Sequence, residues 1–342
     1  MPNINTSAYY QQILSMTLED RSSGYQDLVS NNNALLAVLK RKGLWKTYSG
    51  PKIRETLQIA KQVAQWYSGY DQLLNPAIDL FNDALYDPKM VVVPVILSMQ
   101  EILNNEGENQ LIDVYDAYID AAERSLNDAM DAALYSDGTA NGGKQITGLK
   151  AAIPIVVNSG IYGGIDRAPA GNAIWRTTTW DAQTAFPAIG TQVNSTSIRP
   201  FLNAIMTKQS RGRDHADLLI MSPEHYAAYD AATIAIQRQT NETSLGKLGF
   251  SALEYIGGGK RAEIVLDGGI GSNMDPNTTF GIDTDSLRMR YHPQRNFDKL
   301  FDGEGQQPID KDAIAQFIGF MGELTMANPL FNWRFFDSNP AA

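Results

Sequence analysis

Between residues 106 and 135, Ile112, Tyr115, Ile119, Ala122, Leu126, Met130 and Ala133 recur at spacings of three and four. That period places them on one face of an α-helix. Glu106 and Glu108 suit its N-terminus, where carboxylates are favoured beside unpaired amides, and Asp137-Gly138 and Asn141-Gly142 end it. A helix of about 30 residues is about 45 Å long at roughly 1.5 Å per residue. That is long for a compact domain and reads as a spine. A second stripe, Asp113, Asp116, Asp120 and Glu123, lies about 100° around the helix from the first. The segment 79–137 holds 13 acidic and 2 basic residues, a net of −11.

Upstream, the charge reverses. Lys40, Arg41, Lys42, Lys46, Lys52, Arg54 and Lys61 face one acid, Glu55, between 40 and 61, a net of +6 in a chain of −10. A Ser49-Gly50-Pro51 turn separates two extended-looking stretches, 44–48 and 53–67. Together they predict a long two-stranded excursion. Its apolar residues Trp45, Ile53, Leu57 and Trp66 need a surface to cover them. Residues 1–39 are polar and amide-rich, with only weak helical spacing at Leu28, Leu35, Leu36 and Leu39, and read as an arm with little to bury alone. Met90–Leu97 is a strand signal. The stretch 146–284 mixes short strands and helices, among them a strand at Leu218–Met221. A helix opened by Ser222 and Pro223 runs to about Arg238, and a further strand covers Ile264–Leu266. The tail 285–336 reads as strands around a polar loop at Asp302–Pro308.

The chemistry that can be read is mostly exclusion. With no cysteine, disulfides, thiolate metal sites and thiol catalysis are ruled out. Neither a phosphate-binding glycine loop nor a nucleophile elbow occurs. His215, His225 and His292 are not at metal spacing and read as surface or turn residues; Asp283 and Asp285 are one acid pair among many. The acidic balance argues against a dedicated nucleic-acid binder. The N-terminus reads as carrying no secretory signal, and the longest apolar run, Met90–Met99, is too short to span a bilayer. No catalytic residue, cofactor or metal is expected.

A set of short motifs carries further. Trp66-Tyr67-Ser-Gly-Tyr-Asp71, Ala133-Ala-Leu-Tyr-Ser-Asp-Gly138, Ile146-Thr-Gly-Leu149, Tyr162-Gly-Gly-Ile-Asp-Arg167 and Trp175-Arg176 occur in that order. Met221-Ser-Pro-Glu-His-Tyr226, Gln237-Arg238, Lys247-Leu-Gly-Phe250, Val265-Leu-Asp-Gly-Gly-Ile-Gly271, Asn296-Phe297 and Gly322-Glu-Leu-Thr325 follow. Across roughly 66–325 this series resembles the major capsid proteins of tailed bacteriophages. The resemblance implies an α+β chain of the Hong Kong 97-type capsid fold. Its parts are an N-terminal arm (1–39), an extended loop (40–75), a peripheral domain with the long spine helix (76–145 and 285–342) and an axial domain (146–284).

The resemblance also implies a function without catalysis. Copies would self-assemble as pentamers and hexamers into an icosahedral shell around double-stranded DNA, in the host bacterial cytoplasm, with portal, scaffolding or decoration proteins as partners and no membrane. An encapsulin-like nanocompartment shell is the alternative, and a soluble enzyme without a recognisable site is a more distant one. The candidate inter-subunit contacts are Lys46, Lys52, Arg54 and Lys61 on the loop and Asp113, Asp116, Asp120 and Glu123 on the spine. Asp166-Arg167 and Trp175-Arg176 are expected to act in structure, not catalysis: Gly163 and Gly164 allow a tight turn, after which Arg167 could pair with Asp166, another local carboxylate or a neighbouring subunit.

Overall fold

The computed structural model describes residues 34–60, 62, 64–73, 79–98, 108–234, 253–268, 273–300 and 313–340. The spine is present as α2, Glu108–Leu134. Ile119, Ala122, Leu126, Met130 and Ala133 are all buried, as their spacing requires; the side chains of Ile112 and Tyr115 lie outside the described residues. The helix packs against β4, Lys89–Ser98. β4 is the edge of a four-stranded sheet in the order β1-β12-β13-β4, with β1 at Trp45–Thr47, β12 at Leu287–Lys299 and β13 at Ala313–Met326. β1 runs parallel to β12 and the other pairs are antiparallel.

A second, six-stranded sheet has the order β7-β14-β11-β8-β10-β9. Its strands are Thr178–Asp181, Trp333–Phe336, Thr278–Ile282, Leu218–Met221, Lys260–Leu266 and Leu253–Gly257, in that order. The central run Leu218-Leu-Ile-Met221 is apolar at every position because both faces are covered. Leu218 and Ile220 join the core that holds the spine helix, while Leu219 and Met221 face α4 (Ile198–Lys208) and α5 (Pro223–Ile234). The stretch 235–252, including the expected end of α5, lies outside the described residues, as do Leu28 and the loop at 302–308.

Two expectations are corrected and one is refined. The two extended stretches beside the Ser49-Gly50-Pro51 turn do not pair with each other. β1 joins β12, because Trp45 there packs against Tyr291, Phe297 and Phe320. The second stretch forms β2, Ile53–Gln58, and pairs antiparallel with β3, Phe81–Tyr86. The excursion therefore leaves this two-stranded ribbon at Ile59 and returns at Leu80, where the Ile59 amide donates to the Leu80 carbonyl at 2.9 Å.

The end of the arm, which has little to bury alone, is ordered against the rest of the chain and is not frayed. α1, Ala34–Arg41, has six consecutive buried residues, Ala34 to Leu39, and Arg41 and Lys42 tie its end to Glu263 and Asp217. Finally, the tail does not stay with one sheet. β14 crosses into the six-stranded sheet, where Trp333 lies over Gly281; a Cβ at 281 would stand 2.1 Å from the indole, so only glycine admits this strand.

Candidate assembly surface

The excursion carries the most exposed aromatic residues described. Trp66 and Tyr70 are fully exposed, and Tyr67, Leu73 and Phe81 are largely so. Of the loop residues expected to need a surface, Ile53 and Leu57 are buried within the chain and Trp45 is mostly so, which leaves Trp66. The reason is the alternation of β2: residues 53, 55 and 57 point to the body, and residues 54, 56 and 58 point to solvent.

The basic charge of the loop is also partly answered at home. Lys52 pairs with Asp87 at 3.0 Å and Arg54 with Asp83 at 3.3 Å, both across the ribbon. Exposed pairs of this kind contribute about 0–1 kcal/mol each. Lys46 is exposed on β1, and Lys61 lies outside the described residues. On the spine, Asp120 is exposed and Glu123 half-buried; Asp113 and Asp116 lie on α2, with their side chains outside the described residues. The outward row of β4, Met90, Val92, Pro94 and Ile96, is exposed and wholly apolar.

The Gly163–Arg176 motif serves a structural purpose, but not by an ion pair. Gly163 and Gly164 adopt left-handed φ between β5 (Ile161–Tyr162) and β6 (Ile165–Asp166). A Cβ on Gly163 would meet Ala84 and Tyr86 of β3 at 3.0 Å. This turn brings Arg167 inward, where it is buried and, among the described residues, has no carboxylate partner. Its guanidinium donates to the Ala151 and Ala152 carbonyls at 2.8 and 2.7 Å and lies 5.1 Å from the Tyr162 ring centroid. Those carbonyls lie at the C-terminal end of the short helix α3, Leu149–Ala152, where main-chain acceptors have no partner within the helix. The Trp175 indole donates to the Tyr162 carbonyl at 2.9 Å, and Arg176 donates to the carbonyls of Arg167, Ala168 and Pro169.

His225 also departs from expectation. It is buried on α5, hydrogen-bonded to the Thr279 hydroxyl at 2.8 Å, and burial lowers its pKa to about 4. Glu323 of β13 is buried, accepts the Thr147 amide at 2.6 Å, and is pushed up to about 8 by burial. Burial and the neighbouring Asp217, Asp285 and Asp214 raise Asp283 to about 6. Among the described residues no group of three or more His, Cys, Asp or Glu is placed to hold a metal ion, and no helix is long and apolar enough to cross a membrane.

Two features were not anticipated from the sequence. One is the pair of carbonyls bound by Arg167. The other is Glu55, a carboxylate facing inward between Ile53 and Leu57. Its position at an alternate residue between two apolar ones was the available signal, once residues 53–58 are taken as a strand with one buried face.

No family model matches the chain and no curated protein does. Solved structures do. The chain is similar to the cyanophage A-1(L) capsid asymmetric unit, with a TM-score of 0.62 and 17% identity, covering 87% of this chain and 92% of that one. It is also similar to the capsid of a native GTA particle, with a TM-score of 0.51 and 9% identity, covering 86% and 89%. A chain of Gordonia phage Cozz matches with a TM-score of 0.50 and 15% identity over 88% and 86%. With its long spine helix packed against a four-stranded sheet beside a six-stranded one, the chain has the Hong Kong 97-type capsid fold of the structures it matches.

Proposed function

We propose that the chain is the major capsid protein of a tailed bacteriophage, a structural and non-enzymatic subunit that assembles with its own copies into an icosahedral shell. The observation that carries this reading, beside the fold, is the described part of the excursion, residues 64–73. It holds Trp66, Tyr67, Tyr70 and Leu73 out in solvent, although burying an aromatic side chain removes about 150–250 Å² from water. A free-standing soluble protein gains nothing from such an arm, whereas a lattice subunit gains a contact with its neighbour. Shells of this kind would enclose double-stranded DNA without sequence specificity, form in the bacterial cytoplasm and work with portal, scaffolding or decoration proteins.

In this reading the excursion lies across an adjacent copy. Lys46, Lys52, Arg54 and Lys61 approach Asp113, Asp116, Asp120 and Glu123 there, and the aromatic residues supply most of the energy. The in-chain pairs of Lys52 and Arg54 limit what charge alone contributes, leaving steering and register as its part. The double variant Trp66→Ala, Tyr70→Ala separates contact from folding. Both side chains are fully exposed, so the isolated subunit should melt as the parent does. Shell yield on negative-stain micrographs should fall by about tenfold or more, as loss of a central aromatic anchor implies. Parental yield and diameter would refute the excursion as an assembly contact.

A further inference from the structure

The ribbon β2–β3 is a sheet of its own, hydrogen-bonded through its main chain to neither large sheet among the described residues. The described ties of β3 to the body lie near its end: the Leu85 amide donates to the Gly163 carbonyl at 2.9 Å, and the Tyr86 hydroxyl to the Met326 carbonyl at 2.9 Å. One attachment end leaves the direction of a ribbon free to swing. A second fixed point is supplied by Glu55, midway along β2 and 5% exposed. Arg290 donates through Nε to Glu55 Oε1 at 2.8 Å, Arg288 approaches Oε2 at 3.5 Å, and the Thr325 hydroxyl donates to Oε1 at 3.1 Å.

We infer that Glu55 is a positioning residue: clamped by Arg288, Arg290 and Thr325, it sets the direction in which the excursion leaves the body. The three donors come from adjacent strands, with Arg288 directly opposite Thr325 in the β12–β13 register and Arg290 two residues further along. They triangulate one location for the carboxylate. The flanking contacts of Ile53 and Leu57 are apolar and non-directional, so by themselves they accept a ribbon slid by two residues, about 7 Å. Such a slide would leave Glu55 buried without its guanidinium partners, which costs far more than the slide of an apolar residue. A buried ion pair of this kind adds little net stability over an apolar replacement, and its effect is to select one arrangement.

This role rests on the capsid reading only for its consequence in assembly; the orientation itself is a property of the single subunit. The chain has no cysteine, so a spin-label pair can be introduced by Thr56→Cys on the outer face of β2 and Ser125→Cys on α2. Pulsed dipolar distance distributions are recorded for the labelled parent, for Glu55→Gln, and for Glu55→Met combined with Arg290→Met. The apolar pair should melt near the parent, yet its distance distribution should widen by about twofold or gain a second peak, as loss of a registering polar group implies. Glu55→Gln leaves two guanidiniums facing a neutral amide and should be both less stable and broader. If the apolar pair melts near the parent with a single parental distance, the clamp does not set direction. If the apolar pair does not fold, the clamp is a stability element, which equally overturns the inference. Shell diameter in the same variants then decides its consequence: a broadened distribution with uniform shells keeps the clamp and removes its part in assembly. A parent that never forms shells contradicts the capsid reading while leaving the distance result to decide the clamp.

Discussion

Replacing Arg167 by alanine tests how the 146–176 segment is held. The guanidinium makes two charge-assisted bonds to the carbonyls that end α3, and it is buried against Tyr162. Bonds to a charged donor contribute about 1.5–3 kcal/mol each, and alanine leaves both carbonyls without that partner. The guanidinium's own desolvation is relieved in the variant, which offsets part of the loss, so a net cost of about 3–5 kcal/mol is expected. At about 2.1 cal/mol/K of unfolding entropy per residue, 342 residues give about 0.7 kcal/mol/K, and the melting temperature should fall by about 4–7 °C. Differential scanning calorimetry of the unassembled subunit reads this directly. Arg167→Lys should recover less than half, because an ammonium cannot fork to two carbonyls with fixed geometry. A shift under about 1 °C for alanine, or full recovery by lysine, would refute a role based on the fork and the burial.

Other expectations follow the same logic. Ile119→Ala and Leu126→Ala, each removing a fully buried side chain from the spine, should cost about 2–5 kcal/mol in urea unfolding, and unchanged midpoints would mean that the helix is faced wrongly. Glu323 holds its proton up to about pH 8 when folded but releases it near its ordinary value of 4.5 when unfolded. Its contribution to stability is therefore fully present below pH 4.5 and is lost as pH rises through 8. Glu323→Gln should flatten that decline; a stability–pH curve of unchanged slope between pH 5 and 8, the window set by those two values, would contradict the burial of its carboxyl.

Some of this architecture is legible in the sequence because it is local and periodic. The α2 stripe at 119, 122, 126, 130 and 133 fixes both the helix and its buried side. Leu218–Met221 announces a strand covered on both faces by being apolar throughout. Pairing was less legible. A turn at Ser49-Gly50-Pro51 suggests that its flanks meet, yet β2 finds β3 across 22 intervening residues, and β1 is taken by β12 more than 200 residues away. Local turn chemistry limits where a chain reverses, but the choice of partner belongs to buried side chains such as Trp45, which long-range packing decides. The same holds for Arg167. Its neighbour Asp166 suggested a carboxylate, whereas the left-handed turn at Gly163-Gly164 directs the guanidinium to main-chain carbonyls instead. The candidate contact residues were chosen by charge, and charge alone did not anticipate that Lys52 and Arg54 have partners across their own ribbon.

The central claim is that this chain builds a closed shell from copies of itself. Cryo-electron microscopy of the purified full-length protein, concentrated without nucleic acid and with any co-expressed scaffolding protein removed or retained in parallel samples, tests it most directly. The account predicts closed icosahedral shells or free pentamers and hexamers, in which density for residues 64–73 lies on an adjacent subunit. Monomers or small discrete oligomers in every sample, with the Trp66–Tyr70 segment still in solvent, would contradict it; shells filled with a co-purifying enzyme would assign the fold to a nanocompartment instead.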